Sequence, residues 1–444
     1  MMSLQDFLKA SSVLLTICAM GILASCSTSS KLNRNLKTIN QAIEASPALR
    51  SGFTGLYVAD VSTGEVLISV NADKYFTPAS NVKILTLYGC LQTLKDSLTA
   101  FRYVETDTSL ILWGAADPSF LHPWFDSENT LNFLKDRADQ KAVVLSYGHS
   151  GQLPYGEGWM WDDYNDYYQA ELTSFPAFGN ILLLKKEGTD QITSPAGFTE
   201  FFKKDNSVKR IRRSSEKNEF LIPAKLDTVK AFYQEVPYRN AESVNASLLA
   251  KLTSADVQTA LLTVPEKAIT LHSVALDTVL RRMMVVSDNM LAEHLLLQCG
   301  FVSGDTISTH WTINHLMKDP LLKDVKPYWV DGSGLSRYNR LTPVSLCKVL
   351  SSLYKIIPEK RLFSMFPAGG SNGTIKSMFT DTNDSPYVYA KTGSMTGVYN
   401  LSGFLTAKSG RKLVFSIMNN QFDATVAEAR NATEKIVSTV RQLY

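Results

Sequence analysis

Hydrophobic residues recur at helix or strand spacing near both ends of the chain, and these patterns predict its main elements. Near the N-terminus a helix is predicted by apolar residues at helical spacing: Leu32, Leu36, Ile39 and Ile43. Two short apolar runs follow at 56–61 and 66–70, and the Ser-Thr-Gly sequence at 62–64 predicts a turn between them. The same pattern recurs at 401–406 and 413–418, so each end of the chain predicts a β-hairpin.

The second hairpin is followed by a predicted amphipathic helix, whose apolar face is Val426, Ala429, Ile436, Val440 and Leu443. Helical spacing also appears between residues 276 and 296. Hairpins that are flanked by helices must bury one face of each, so the two ends are expected to form one antiparallel sheet covered by helices. The pattern predicts an α+β fold, in which the chain after residue 80 forms a helical lobe or an insertion.

Residues 102–270 differ from the rest of the chain, because they are strand-like and rich in Gly, Pro, Tyr and Trp. Short strands are predicted there at 181–185, 192–193, 208–211 and 220–222. The segment is therefore interpreted as one or more inserted β-rich domains. The order along the chain is sheet, insertion, helices and sheet.

Residues 1–25 have the pattern of a signal peptide. The apolar run at 13–23 is too short to span a bilayer. It ends in L-A-S-C at 23–26, which resembles the lipobox of bacterial lipoproteins. The resemblance implies cleavage before Cys26 and acylation of its sulfur and amine, which would anchor the protein to a membrane of the cell envelope, with 26–30 as a tether. A plain secretory signal is the alternative, since the segment carries little positive charge.

Composition narrows the function classes further. Lys and Arg number 45 against 42 Asp and Glu, a formal charge of +3, so no nucleic-acid partner is expected. Once Cys18 is removed with the signal and Cys26 is lipidated, Cys90, Cys299 and Cys347 remain among apolar neighbours, which predicts buried thiols rather than a disulfide framework. The histidines lack metal-ligand spacing, so neither a metal site nor a cofactor is predicted.

The first chemical motif is S-x-x-K, formed by Ser80 and Lys83 directly after the first hairpin. Apolar residues follow it, so the motif is expected to open a helix. Positions i and i+3 share a helix face, which places the Lys83 amine against the Ser80 hydroxyl and would activate it as a nucleophile. Such pairs are common on surface helices, and the motif alone is therefore a weak signal.

Two more motifs follow in order. S-D-N at 287–289 falls at a break between two helical segments, and K-T-G-S at 391–394 leads into the C-terminal hairpin. In this order and in these settings, the three motifs together resemble those of the penicillin-recognising serine acyltransferases.

Further stretches narrow the resemblance: G-A-A-D-P-S-F at 114–120, G-W-M-W-D-D at 158–163 and D-G-S-G-L-S-R-Y-N at 331–339. Over about residues 50–444 the chain resembles the class C low-molecular-mass penicillin-binding proteins, the D-alanyl-D-alanine carboxypeptidase/endopeptidase family. The resemblance implies a serine β-lactamase/transpeptidase-like domain in two parts, 31–101 and 271–444, with the β-rich segment 102–270 inserted between the first and second motifs.

The resemblance also implies a serine D,D-peptidase that hydrolyses the terminal D-Ala-D-Ala bond of peptidoglycan stem peptides, with D,D-crosslinks as an open second substrate. Ser80 would attack the carbonyl between the two D-alanines and Lys83 would take its proton. Ser287 would relay the proton, and Asn289 would hold the substrate amide. β-Lactams would acylate Ser80 as substrate mimics.

The third motif would bind the other end of the substrate. Lys391, with the hydroxyls of Thr392 and Ser394 beside Gly393, would hold the terminal carboxylate, because an anion needs positive charge and convergent donors. Backbone N–H groups of Ser80 and Ser394 would form the oxyanion hole.

Two residues outside the motifs are candidates for recognition of the acyl side. Peptidoglycan stems often place a zwitterionic diamino acid there, which needs one anionic and one cationic partner. Asp163, at the end of G-W-M-W-D-D, and Arg337, in D-G-S-G-L-S-R, fit these roles. A structural ion pair or a turn-stabilising arginine is the alternative interpretation.

Two other functions stay open at this point. A β-lactamase would share the first two motifs, but no E-x-x-L-N stretch supplies a deacylating glutamate, and the long insertion suits peptidoglycan better. A non-catalytic wall-binding or penicillin-sensing lipoprotein would keep the penicillin-binding pocket but would not hydrolyse any muropeptide.

Overall fold

The computed structural model describes residues 32–380 and 385–444. The strands, in chain order, are β1 Phe53–Asp60, β2 Val66–Val70, β3 Ser97–Glu105, β4 Ser109–Gly114, β5 Ala142–Ser146, β6 Ile181–Glu187, β7 Asp190–Ser194, β8 Phe202–Asp205, β9 Arg212–Arg213, β10 Phe220–Pro223, β11 Ala231–Pro237, β12 Val257–Ala260, β13 Ile269–Ala275, β14 Val388–Met395, β15 Val398–Thr406 and β16 Lys412–Asn420. The helices are α1 (32–44), α2 Pro47–Arg50, α3 Lys83–Thr93, α4 Glu128–Ala138, α5 Ala241–Thr253, α6 Leu276–Val285, α7 Asn289–Gly304, α8 Thr309–Leu316, α9 Pro320–Val325, α10 Pro343–Ile356, α11 Glu359–Met365 and α12 Val426–Leu443.

The two ends of the chain meet in one antiparallel sheet, with the order β14-β15-β16-β1-β2. β16 pairs with β1 from Phe53 opposite Asn420 to Asp60 opposite Leu413, so the two hairpins join along their full length. The predicted α+β class is confirmed, with an antiparallel sheet flanked by helices, a helical lobe and a β-rich insertion.

Alternating side chains of β16 belong to two different cores, as the two-residue period of a strand requires. Leu413, Phe415 and Ile417 pack into one core with α1 and α12. Val414 and Met418 pack into the other, with α3, α6, α7 and α10. Both faces of the sheet are covered, which explains why β15 and β16 are buried almost throughout.

The helical lobe is built around α3 and α7, which carry the first two motifs at their N-terminal ends. α7 is buried around most of its circumference, because neighbouring helices and the insertion enclose it. Cys90 of α3 and Cys299 of α7 are buried with their sulfurs 3.8 Å apart, and Cys347 is buried on α10, so the predicted buried thiols are confirmed.

The inserted segment leaves and returns on neighbouring strands, since β3 and β13 pair antiparallel. These strands belong to a five-stranded sheet with the order β12-β5-β4-β3-β13, which packs against α4 and α5. The sheets β11-β6-β7 and β8-β10-β9 surround a second core of the insertion. The two helices α4 and α5 were not anticipated by the β-rich pattern.

One predicted strand of the insertion, 208–211, is wrong. In this stretch, pairing with β10 begins only at Arg212 and Arg213, which form β9. The reason lies at Ile211, because the Gln234 side chain accepts from its N–H at 2.7 Å and donates to its carbonyl at 2.9 Å. A side chain therefore takes the backbone groups that a sheet partner would have used.

Within 32–380 and 385–444, no helix combines the length and the apolar character needed to cross a membrane. The predicted signal peptide, tether and lipidation site Cys26 lie outside the described residues.

Candidate active site

Ser80 lies in a short 3-10 turn, Ala79–Val82, that leads directly into α3. The residue before it, Ala79, has φ of 47°, in the left-handed region. Two glycines pack against this turn and leave no room for a side chain. A Cβ at Gly334 would lie 1.9 Å from the Ala79 carbonyl oxygen, and one at Gly393 would lie 2.3 Å from that of Pro78. The turn is therefore held in place by two loops distant in the sequence.

The Lys83 amine is completely buried and makes three hydrogen bonds. Its Nζ lies 3.1 Å from Ser80 Oγ, 2.7 Å from Asn289 Oδ1 and 2.8 Å from the Ser333 carbonyl oxygen. Burial lowers the pKa of Lys83 to about 8, against an opposing effect of nearby carboxylates, of which Glu293 is the strongest. The Lys83 amine thus contacts the Ser80 hydroxyl, and its pKa lies much closer to physiological pH than that of an ordinary lysine.

A second lysine–serine pair faces the first. Lys391, on β14, is also completely buried, and its Nζ donates to Ser287 Oγ at 2.8 Å and to the Thr392 carbonyl at 2.7 Å. Burial lowers the pKa of Lys391 well below its usual range, and the charge of Lys83 lowers it further. Ser287 has φ of 64°, so the S-D-N segment turns sharply between α6 and α7.

Asn289 connects the catalytic lobe to the insertion. Its Oδ1 accepts from Lys83, and its Nδ2 donates to the Tyr168 carbonyl at 3.3 Å. Asp288 caps α7 by accepting from the Leu291 N–H at 3.1 Å, which fixes the start of the helix on which Asn289 lies. The three motifs therefore converge on Ser80.

The outer face of the site is formed by the K-T-G-S strand. β14 is an edge strand of the sheet, and Thr392 donates from Oγ1 to Thr374 Oγ1 at 2.8 Å. Ser394, two residues further along, is exposed. The strand presents Thr392 and Ser394 on one face, since residues i and i+2 share a face.

Sequence reasoning missed two buried carboxylates that support the site. Glu293, on α7, accepts from the N–H groups of Gly332 at 2.9 Å and Ser333 at 2.7 Å. Its pKa is raised by burial and by the nearby Asp331. The spacing of Asn289 and Glu293, four residues apart on one helix face, could have pointed to this role.

Asp331 is the second missed residue, and it organises the D-G-S-G-L-S-R-Y-N loop. It accepts from the N–H groups of Gly334 at 2.8 Å and Ser336 at 2.6 Å, and from Asn339 Nδ2 at 2.7 Å. It also accepts from Trp159 Nε1 at 3.0 Å, which ties this loop to the G-W-M-W-D-D stretch. The signal was the Asp-Gly-Ser-Gly sequence, since an Asp before glycines often closes a turn through its side chain.

Asp163 and Arg337 lie on these two connected loops. Asp163 is half-buried and Arg337 is exposed, and they do not form an ion pair. Burial raises the pKa of Asp163, while the Arg337 charge is one of the opposing effects. The two residues therefore lie in the same region, and no ion pair joins them.

Comparisons with known proteins identify the family and the fold. The model of the D-Ala-D-Ala carboxypeptidase 3 (S13) family matches residues 35–443. The chain is 30% identical over 176 residues to D-alanyl-D-alanine carboxypeptidase DacB of Haemophilus influenzae, covering 38% of this chain and 36% of that protein. It is 24% identical over 447 residues to a D-alanyl-D-alanine carboxypeptidase of Actinomadura sp., covering 85% of this chain and 80% of that protein.

A solved structure has the same fold. The crystal structure of penicillin binding protein 4 (dacB) from Haemophilus influenzae gives a TM-score of 0.72 at 20% identity, covering 90% of this chain and 98% of that one. The aligned segment spans only about a third of the sequence of the curated Haemophilus relative. The family match covers nearly the whole described chain, and the chain therefore belongs to the D-Ala-D-Ala carboxypeptidase 3 (S13) family.

Proposed function

We propose that this chain is a serine D,D-peptidase that hydrolyses the terminal D-Ala-D-Ala bond of peptidoglycan stem peptides and binds penicillin covalently. The observation that carries the proposal is the pair of buried lysine–serine contacts, Lys83 with Ser80 and Lys391 with Ser287, on opposite sides of one site. The names of the relatives, D-alanyl-D-alanine carboxypeptidases, support it.

In the acylation step, Ser80 Oγ forms a bond to the carbonyl carbon and its proton passes to the neutral Lys83 amine. The negative charge on the carbonyl oxygen is stabilised by the backbone N–H groups of Ser80 and Ser394. The C–N bond then breaks, and the leaving amine receives a proton through Ser287. The products are an acyl-enzyme on Ser80 and free D-alanine.

The two lysine protonation states suit these roles when substrate is bound. In the free protein, burial and the neighbouring charge of Lys83 both disfavour a proton on Lys391. A substrate carboxylate beside Lys391, Thr392 and Ser394 would supply a counter-charge and favour the protonated form. A protonated Lys391 would in turn favour a neutral Lys83, so binding of the anion would prepare the base.

The rate at which water hydrolyses the penicilloyl enzyme distinguishes a peptidase from a β-lactamase. The carboxylates whose charges act on Lys83 are Glu293, Asp331 and Asp288. Glu293 and Asp331 hold backbone N–H groups of one loop, and Asp288 caps α7. Each is committed to a structural contact, which supports slow hydrolysis of the penicilloyl enzyme and argues against a β-lactamase.

Recognition of the acyl side is proposed for Asp163 and Arg337. Their loops are joined by the Trp159–Asp331 hydrogen bond, and the carbonyl of Ser333 in the same loop contacts Lys83. A zwitterionic diamino acid next to the scissile bond could then place its amine near Asp163 and its carboxylate near Arg337.

Location in the cell envelope is proposed from the relatives' role on cell-wall substrate, and lipid anchoring from Cys26. Cys26→Ala should release the protein from membranes into the soluble envelope fraction. Mass spectrometry of the mature N-terminus is the direct measurement, and an unmodified N-terminus at another residue would contradict the anchor without affecting the enzymatic proposal.

The catalytic proposal is tested by labelling with a fluorescent penicillin and by incubation with a stem pentapeptide. The wild-type protein should be labelled on Ser80 and should release D-alanine, whereas Ser80→Ala should do neither and keep its circular dichroism spectrum. Labelling without any muropeptide turnover would favour the non-catalytic penicillin-sensing alternative. Rapid release of the label would favour a β-lactamase.

A further inference from the structure

A groove of about 630 Å³ opens at one end of the central sheet, where β1 begins and β16 ends. Phe53, the first residue of β1, lies opposite Asn420, the last residue of β16, and both line the groove. The other walls are residues of the segment 71–77, before the nucleophile turn, and Arg340. Neither the catalytic motifs nor the proposed contacts of the stem peptide account for this surface.

Three parts of the active site lead directly into this groove. Thr77 lies three positions before Ser80, which is at most about 10 Å of extended chain. Arg340 follows the D-G-S-G-L-S-R-Y-N loop. The Gln421 N–H donates to the Gly397 carbonyl at 2.7 Å, in the turn after the K-T-G-S strand. The groove therefore lies beside the nucleophile, on the flank that this loop and this strand share.

Exposed aromatic rings line the groove. Phe53 is 64% exposed and is the one exposed residue of β1, and Tyr75 is 54% exposed. The Tyr75 hydroxyl donates to the Lys326 carbonyl at 2.9 Å, so the ring is fixed in position while much of it stays accessible. Large apolar side chains that cluster on a surface and are left unburied by the fold are typical of a binding site.

A second groove, of about 640 Å³, continues this surface past Arg340. Its walls are α8 and residues of the insertion segment 151–157, together with Tyr328, which is 58% exposed. The Arg340 guanidinium stacks over the Tyr328 ring, 5.5 Å from its centre, and the backbones of the two residues pair through hydrogen bonds of 3.0 and 2.9 Å. The two grooves therefore meet at this pair, and together they form an extended surface that suits a polymer better than a single small molecule.

The polar lining narrows the class of ligand. The first groove has the amides Asn71 and Gln421 and the cations Lys74 and Arg340, and none of its described lining residues is an acid. A zwitterionic stem peptide needs an acidic partner as well, so this groove does not match it. Sugars fit the lining, because their apolar ring faces pack on aromatic side chains, and their hydroxyl and acetamido groups exchange hydrogen bonds with amides, which both donate and accept.

The shape of the first groove argues against a membrane contact. The groove is concave, and its buried floor is polar, since Asn420 accepts from the Thr77 N–H at 2.7 Å there. A surface that enters a bilayer instead presents a continuous apolar face to the acyl chains. A sugar chain carries polar groups along its edges, and these can pair with a polar floor between aromatic rings.

We propose that the two grooves bind the glycan strand to which the stem peptide is attached, as a chain of neutral acetylated sugars. The inference rests on the proposed serine D,D-peptidase function. Four residues of a pentapeptide stem separate the sugar from the scissile bond, and they span at most about 14 Å. A strand held within about 10 Å of Ser80 would therefore bring its own stem peptide to the nucleophile and raise the local concentration of substrate.

The test uses Phe53→Ala and Tyr75→Ala, which lie outside the three motifs. Each has a matched control on the insertion, away from both grooves. Phe201→Ala removes a phenylalanine that is 41% exposed, and Tyr233→Ala removes a tyrosine that is 55% exposed and also donates from its hydroxyl. All variants are assayed with an uncrosslinked glycan strand that carries pentapeptides, with the free pentapeptide and with a fluorescent penicillin.

We expect wild-type kcat/KM for the strand-borne pentapeptide to exceed that for the free pentapeptide about tenfold. Phe53→Ala and Tyr75→Ala should each remove most of this excess, while free pentapeptide hydrolysis and penicillin acylation stay within about twofold of wild type. The controls should keep the excess. A hexamer of N-acetylglucosamine, as a peptide-free probe in calorimetry, should bind the wild-type protein and bind the double variant about tenfold more weakly.

Several outcomes would overturn the inference and leave the peptidase proposal intact. These are equal kcat/KM for strand-borne and free pentapeptide in the wild-type protein, an excess that both groove variants retain, or an equal loss on all three substrates. Binding of the Cys26→Ala protein to anionic phospholipid vesicles through these two rings, with strand hydrolysis independent of them, would make the surface a membrane contact instead. Failure of the wild-type protein to react with any substrate would contradict the proposed function itself.

Discussion

The two lysines of the catalytic centre are completely buried, whereas Arg337, the cation proposed to recognise substrate, is exposed. Lys83 and Lys391 each contact a serine hydroxyl and at least one backbone carbonyl. Arg337 and Asp163 form no ion pair with each other, although the Arg337 charge partly offsets the rise in the pKa of Asp163 that burial causes. The difference separates buried groups, whose partners and pKa values are set by the protein, from half-buried or exposed groups that a substrate can reach.

This contrast has an energetic consequence. In the buried centre, losing one partner leaves another polar group unsatisfied in a low-dielectric environment, so the cost is large and applies to every acyl donor. At the exposed rim, solvent screens the charges, so the cost is small and depends on what the substrate carries. Substitutions in the two regions should therefore differ in both size and substrate dependence.

The largest effect is expected for Lys83→Ala, which removes the proton acceptor and a partner of Ser80 and Asn289. Acylation by penicillin should slow by about three orders of magnitude or more. Stopped-flow or gel-based labelling measures the rate, and Lys348→Ala, an exposed lysine of α10, is the control. Acylation near the wild-type rate would mean that Ser287 or water, and not Lys83, accepts the proton. It would also contradict the large cost expected for substitutions in the buried centre.

A smaller but still large effect is expected for Gly334→Ala. The new Cβ would collide with the Ala79 carbonyl and displace the Ser80 turn, so acylation should fall about a hundredfold, together with thermal stability. Gly410→Ala is a matched control, because Gly410 has a similar φ of 87° but open space around it. An equal effect of both substitutions would mean that backbone strain, and not the contact with the nucleophile turn, is responsible.

The pH dependence of acylation is expected to follow Lys83, whose pKa is lowered to about 8. The neutral amine is the reactive form, so the rate should rise with pH, about tenfold per unit below pH 8, and level off above it. Penicillin is a suitable probe, since its carboxylate does not titrate in this range. A rate that is constant between pH 6 and 8 would show that neutral Lys83 does not limit acylation.

The smallest effects are expected at the rim. Asp163→Ala and Arg337→Ala should each cost about 1 to 3 kcal/mol in kcat/KM for a diaminopimelate-containing pentapeptide, with Arg337 at the lower end because it is exposed. Acylation by a simple penicillin should barely change. Asp162→Ala, which removes the neighbouring exposed acid, is the control. Equal losses on both substrates would mean that the two residues support the fold and do not recognise the substrate. The rim would then not differ from the buried centre in substrate dependence.

Much of the local structure could be predicted from the sequence. The S-x-x-K motif opens a helix, S-D-N falls between two helices, and K-T-G-S lies on a strand before the last hairpin, as the patterns indicate. The joining of the two chain ends in one sheet was also expected, because two hairpins flanked by helices must bury their faces. The setting of each motif depends on a few neighbouring residues, and short-range periodicity predicts it well.

The false strand at 208–211 shows where such patterns stop being informative. Its β-branched residues Val208 and Ile211 favour a strand, but the Gln234 side chain, 23 positions after Ile211, occupies the backbone groups of Ile211. No residue near Ile211 in the sequence predicts this contact with Gln234. The same holds for Glu293 and Asp331, whose importance comes from the backbone groups of a loop that only folding brings to them.

The sequence by itself determined which chemical groups are available and the local turn or helix that presents each of them. The tertiary structure alone decided their protonation and their surroundings: burial lowers the pKa values of Lys83 and Lys391, and segments from both ends of the chain form the aromatic groove beside the Ser80 turn. The physical reason is that the pKa of an amine and the shape of a groove depend on every segment packed around them. Those segments are separated by up to about 370 residues in the chain, beyond the reach of any local pattern.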